Sequence, residues 1–227
     1  MQYEFLMEKS KTHVYLIPGM AANAKIFEYI KLPENDYVMH FIEWELPVPK
    51  ESLSDYAFRM TNKIGHENPI LFGVSFGGIL AQEMSKFVEV KKVVVVSSVL
   101  HETEFPKRMK FAKMTKAYKL VPTQLFSDVE KLAKYAFGET AVNRVDLYKK
   151  YMSVSDKKYL DWAIENIINW KQSQSIDNVI HIHGSHDKVF PIENIKGSVI
   201  KVKNGTHVMI INKYKWFNEN LPKLLTA

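Results

Sequence analysis

Apolar residues fall along this chain in two alternating rhythms. Dense short runs occur at 13–17, 37–42, 70–73, 93–97, 179–183 and 199–202. They are rich in β-branched and aromatic side chains and bounded by turn residues, the pattern of strands buried on both faces. Between them, apolar positions recur every three or four residues, the helical period. One such stretch covers about 23–30. Another begins at Ser52, where Ser52-Leu53-Ser54-Asp55 reads as a capping box ahead of Tyr56, Met60 and Ile64. A third starts just after Ser75, and the last runs over about 208–224. Strand–helix alternation of this kind predicts an α/β fold, a mostly parallel sheet with flanking helices.

The rhythm breaks between 101 and 175. No strand-like run occurs there, and Phe111, Met114, Tyr118 and Val121 share one helical face. Further helical stretches follow at 126–135, 142–151 and 158–169. The expected organisation is a core made of 1–100 and 176–227 that carries a helical lid, 101–175.

Composition narrows the function classes. Hydrophobic residues make up 46% and charged residues 25%, which suits a packed domain and not a disordered chain. The lack of any apolar run near 18 residues, and of a signal-like start, predicts a cytoplasmic protein with no membrane span. Absence of cysteine removes disulfides, thiolate metal sites and a cysteine nucleophile. The net charge is +6, but only three of the 31 basic residues are Arg and the lysines are scattered, so nucleic-acid binding is not expected.

The chemistry concentrates at three places. Gly73-Val74-Ser75-Phe76-Gly77 follows an apolar run and precedes a helical one, which is the strand–turn–helix setting of a nucleophile elbow. Glycines two positions either side let the chain turn sharply and raise Ser75 to a helix N-terminus, where N–H groups face a developing anion. A serine hydroxyl needs a base. Of eight histidines, His207 lies in a loop between the last strand and the last helix, at the sheet edge where such groups gather. His13, His181 and His183 fall inside strands as core residues, and His40 and His66 at element ends without a partner signal. His101 is the rival base. Asp187, just past the fifth strand, would orient His207, with Glu102 as the alternative acid. Backbone N–H groups of Phe76 and of Met20, in the loop Pro18-Gly19-Met20, are the expected oxyanion donors.

With these elements the chain resembles the α/β-hydrolase superfamily, in its esterase or lipase-like branch. The resemblance rests on the elbow at Ser75, the G-x-x-D-x-x-x-P element at 184–191 and the Gly-x-His element at 205–207. The order Ser75, Asp187, His207 is the family's order. It implies that the six strands are the family's third to eighth, that only 3–7 is left to supply an earlier one, and that the helical insertion is its lid. Two departures stand out. Pro18-Gly19 replaces the family's common His-Gly, and Trp44-Glu45-Leu46-Pro47-Val48-Pro49 replaces its frequent Gly-His-Gly. The implied function is cleavage of a small carboxylic ester or thioester through an acyl-enzyme on Ser75, without cofactor or metal. The alternatives are an acyltransferase or perhydrolase using the same groups, or a weakly catalytic ligand-binding protein. Lys107, Arg108, Lys110, Lys113, Lys116 and Lys119 crowd the first lid helix. They read either as a solvated face or as a dock for an acidic carrier protein.

Overall fold

A computed structural model describes residues 11–120, 150–172 and 176–226. Six parallel strands form one sheet: β1 (Thr12–Ile17), β2 (Tyr37–Phe41), β3 (Ile70–Val74), β4 (Lys92–Val96), β5 (Val179–Gly184) and β6 (Ile200–Val202). Their spatial order is β2-β1-β3-β4-β5-β6. Each sits within a residue or two of the run that predicts it, because a strand covered on both faces must be apolar throughout.

Alternate side chains feed two cores. On one face Tyr15, Ile17, Leu71, Val93 and Val95 pack against α1 (Leu53–Thr61) and α2 (Phe76–Met84). On the other, Val14, Leu16, Phe72, Val94 and Val96 meet Ile26, Phe27 and the C-terminal helices. Ser52 caps α1 through its hydroxyl, which accepts the Asp55 N–H at 3.1 Å.

Three expected elements differ in form. The 23–30 stretch holds only a 3-10 turn, Ala24–Phe27, capped by Asn23. Past Asp187, Pro191 introduces another short 3-10 turn, Ile192–Asn194, where a proline beyond the fifth strand could have opened a full helix. The last helix is split at Lys213, whose backbone (φ −118°, ψ 23°) leaves the helical region. The pieces are α5 (Met209–Asn212) and α6 (Tyr214–Thr226). The break lets α5 tuck Met209 and Ile210 under the 24–27 turn while α6 lays Phe217, Leu221 and Leu225 on the sheet.

Between 101 and 175 the described residues form helix and turn but no strand, including a 3-10 turn (Glu102–Glu104), α3 (Lys107–Thr115), a second 3-10 turn (Ala117–Leu120) and α4 (Lys157–Asn169). Lys116 adopts a left-handed conformation and stops α3, so the expected apolar face does not continue through it. Phe111 and Met114 stand exposed at 60% and 75%, and only Tyr118 turns inward. Val121, the stretches 3–7 and 126–135, and all of 142–151 but its last two residues lie outside the described residues. By contrast α4 is amphipathic, and its Tyr159, Leu160, Ala163 and Ile167 join the core of α1 and α2. Among the described residues no helix is long and apolar enough to cross a membrane.

Candidate active site

Ser75 occupies the turn between β3 and α2. Its backbone, φ 54° and ψ −119°, is strained for a residue with a side chain. The turn is possible because a Cβ at Gly73 would lie 2.1 Å from the Gly77 carbonyl oxygen, and one at Gly77 would lie 2.4 Å from those of Ile17 and Pro18. The Ser75 N–H donates to Val96 O at 2.9 Å, and its carbonyl accepts from Gly78 N–H at 2.9 Å and the Ser98 hydroxyl at 2.7 Å. These bonds hold the strained turn in place.

The loops after β5 and β6 bring Asp187 and His207 to it. His186 N–H donates to Gly205 O at 2.8 Å, clasping one loop to the other. His207 Nε2 lies 2.9 Å from Ser75 Oγ, and His207 Nδ1 lies 2.9 Å from Asp187 Oδ2. A carboxylate can only accept, so Nδ1 carries the imidazole proton and Nε2 is left to accept from Ser75. Asp187 is buried, yet its Oδ1 accepts from Val189 and Phe190 N–H at 2.8 and 2.9 Å. Burial pushes this carboxyl up; His207, His183 and the Phe190 N–H outweigh that and hold it below its usual range. The acid is therefore a carboxylate across the neutral range.

His183 lies beside this pair. Its Nε2 donates to Phe190 O at 2.8 Å, and burial pushes the imidazole below its ordinary value. Neither rival residue is committed to Ser75. His101 is exposed and bonds through Nδ1 to Thr103, capping a short turn, while Glu102 accepts the Gln172 N–H at 3.2 Å.

Phe76 is the first residue of α2, where a helix leaves its N–H groups without intrahelical acceptors. Met20 follows Gly19, whose carbonyl accepts from Ala22 N–H at 3.1 Å and from Trp44 Nε1–H at 2.9 Å. In a trans peptide the carbonyl and the next N–H point in opposite directions. Trp44 thus turns the Met20 N–H away from itself. The same indole stacks on Phe76 with centroids 5.0 Å apart and an 8° tilt. One tryptophan ties both expected donor positions together, a role visible in sequence only as an aromatic residue shortly after β2. The segment between β4 and β5 contributes two straps: Tyr151 O accepts from Asn23 N–H, and Val154 N–H donates to Ala21 O.

The basic residues around α3 turn largely onto the protein's own acceptors. Arg108 donates to the carbonyls of Lys188 and Val189, beside Asp187. Lys110 reaches Thr103 O, Lys113 reaches Asn169 O and Lys119 pairs with Glu165.

A parallel sheet of this order, a serine on a strained strand–helix turn, and acid and histidine on later strand ends define the α/β-hydrolase fold, and the chain has that fold. No family model and no curated protein sequence matches it. Solved structures do. A hydrolase from Pseudomonas aeruginosa is similar over 96% of this chain and 91% of its own, with TM-score 0.73 and 14% identity. An esterase from Exiguobacterium antarcticum matches over 96% and 93%, with TM-score 0.66 and 17% identity. A bromoperoxidase from Bacillus anthracis matches over 96% and 92%, with TM-score 0.67 and 18% identity.

Proposed function

We propose that this protein is a serine hydrolase that cleaves a small carboxylic ester or thioester, with Ser75, His207 and Asp187 as its catalytic triad. The observation that carries the reading is the continuous relay from Ser75 Oγ through His207 to Asp187, 2.9 Å at each step. His207 Nε2 takes the serine proton as Oγ attacks the substrate carbonyl carbon, and Asp187 stabilises the imidazolium. The N–H groups of Met20 and Phe76 receive the negative charge on the carbonyl oxygen. Collapse expels the alcohol or thiol, protonated by His207, and leaves an acyl-enzyme on Ser75. Water, deprotonated by His207, then attacks the acyl carbon, and His207 returns the proton to Ser75 Oγ as the acid leaves. Every proton transfer in this cycle uses a side chain of the chain itself.

Aromatic rings flank the triad, Phe190 edge-on to His207 and Trp44 stacked on Phe76, and such apolar surroundings suit an apolar acyl group. The segment 101–175 is the proposed lid over it, and the rest of the chain the hydrolase core. An acyltransferase or perhydrolase would use the same acyl-enzyme and differ only in the group that accepts the acyl chain. The test is a rate panel of esters and thioesters of graded acyl length, with Ser75→Ala run beside it. Turnover of at least one series, abolished in the variant, is expected. Equal turnover by the variant would overturn the assignment.

A further inference from the structure

Three histidines distant in sequence meet at the β2 edge of the sheet, away from the proposed catalytic residues. His13 is in β1, His40 in β2 and His66 in the loop after α1. Tyr15 pairs with His40 in the parallel register, so His13, Tyr15 and His40 project from one face of the sheet. The loop lays His66 onto them. His13 Nδ1 is 2.9 Å from His40 Nε2, and the His13 and His66 rings stack with centroids 3.4 Å apart. One ring nitrogen from each residue lies within 4.8 Å of the other two.

We propose that His13, His40 and His66 bind a late first-row divalent cation, with Zn²⁺ as the simplest occupant. Neutral imidazoles without thiolate or hard oxygen donors are a ligand set for Zn²⁺, Ni²⁺ or Cu²⁺, not for Mg²⁺ or Ca²⁺. Tyr15 supplies the outer support such a site requires. Its hydroxyl oxygen accepts the Gly65 N–H at 2.9 Å and lies 2.7 Å from His66 Nδ1, which leaves Nε2 of His66 for the metal. Metal–nitrogen bonds of about 2.0–2.1 Å set tetrahedral ligands roughly 3.3 Å apart. The nitrogens must therefore close by at most about 1.5 Å on binding, and the His66 ring must tilt out of its stack on His13 so that the lone pairs converge. His66 is exposed and on a loop, so it is the ligand placed to swing in. Three protein ligands leave the fourth position to water.

His13 precedes Ile17 by four residues, about 13 Å of strand from the end that carries Gly19. The cation would therefore cross-link β1, β2 and the loop after α1 without touching Ser75. The test uses the full chain, stripped with a chelator and dialysed, then titrated with Co²⁺ alone. One Co²⁺ per chain with visible d–d bands is expected, displaced by Zn²⁺, together with a rise in Tm on adding Zn²⁺. His66→Ala changes an exposed side chain, and its folding is checked by circular dichroism; it is expected to weaken Co²⁺ binding at least tenfold. Tyr15→Phe, which removes only the outer support, is expected to weaken it about 10- to 100-fold. No uptake by the wild-type chain, or uptake unchanged in His66→Ala, would overturn the proposal and leave the rings stacked for packing alone.

Discussion

At Ser75 the backbone itself is held out of its comfortable range. A residue with a side chain at φ 54° carries roughly 1–3 kcal/mol of strain, which the bonds to Val96, Gly78 and Ser98 offset. That strain sets the hydroxyl against His207, so Ser75→Ala and His207→Ala are each expected to lower kcat by roughly 10⁴ to 10⁶. Asp187→Ala should lose less, since the base remains, and His101→Ala should lose nothing; steady-state rates on one ester decide all four. Acid stability is also set at single residues. Burial, with His183 beside it, pushes His181 from 6.5 down to about 4. Between those values an unfolded chain holds a proton that the folded chain refuses, so stability falls as pH falls. The loss is about 3 kcal/mol by pH 4, from 1.36 kcal/mol per pKa unit. Asp187, held below 3.8, contributes its stability above that value and loses it only at still lower pH. Urea unfolding at pH 7, 5.5 and 4 should show the midpoint dropping through this window; a flat midpoint would contradict it.

Among the elements, those that carry the site were legible in sequence because their constraints are local. A buried parallel strand must be apolar, and the sharp turn at Ser75 needs Gly73 and Gly77 for contacts closer than any Cβ allows. What was not legible depends on pairing between distant segments. The strand register sets Tyr15 opposite His40, and nothing in the spacing of His13, His40 and His66 announces their meeting. The apolar spacing through Phe111, Met114 and Tyr118 resembles one helix face, but a left-handed Lys116 divides it, a choice of backbone that periodicity does not reveal. Trp44 belongs with these. Its N–H reaches the Gly19 carbonyl from a loop 25 residues away. Removing an oxyanion donor outright costs about 10² to 10³ in kcat. Trp44→Phe keeps a ring over Phe76 and removes only the support of the Met20 peptide, so a smaller loss is expected, about tenfold in kcat with KM little changed. A change confined to KM would show that Trp44 lines the pocket without positioning the peptide.

Across the whole molecule, the sheet gathers residues 75, 187 and 207 at the C-terminal ends of its strands, while the 151–154 strap ties the segment between β4 and β5 to the loop after β1. The fold alone fixes no reaction, as its esterase and bromoperoxidase neighbours show by their different names. Covalent labelling asks directly whether Ser75 is an activated nucleophile. The intact protein is exposed to a fluorophosphonate at neutral pH, weighed by mass spectrometry, and the adduct mapped by peptide sequencing. One phosphonyl group on Ser75, absent from Ser75→Ala and strongly slowed in His207→Ala, is the result expected. An unmodified wild-type chain, or equal labelling of the Ser75→Ala variant, would mean that Ser75 is not the nucleophile.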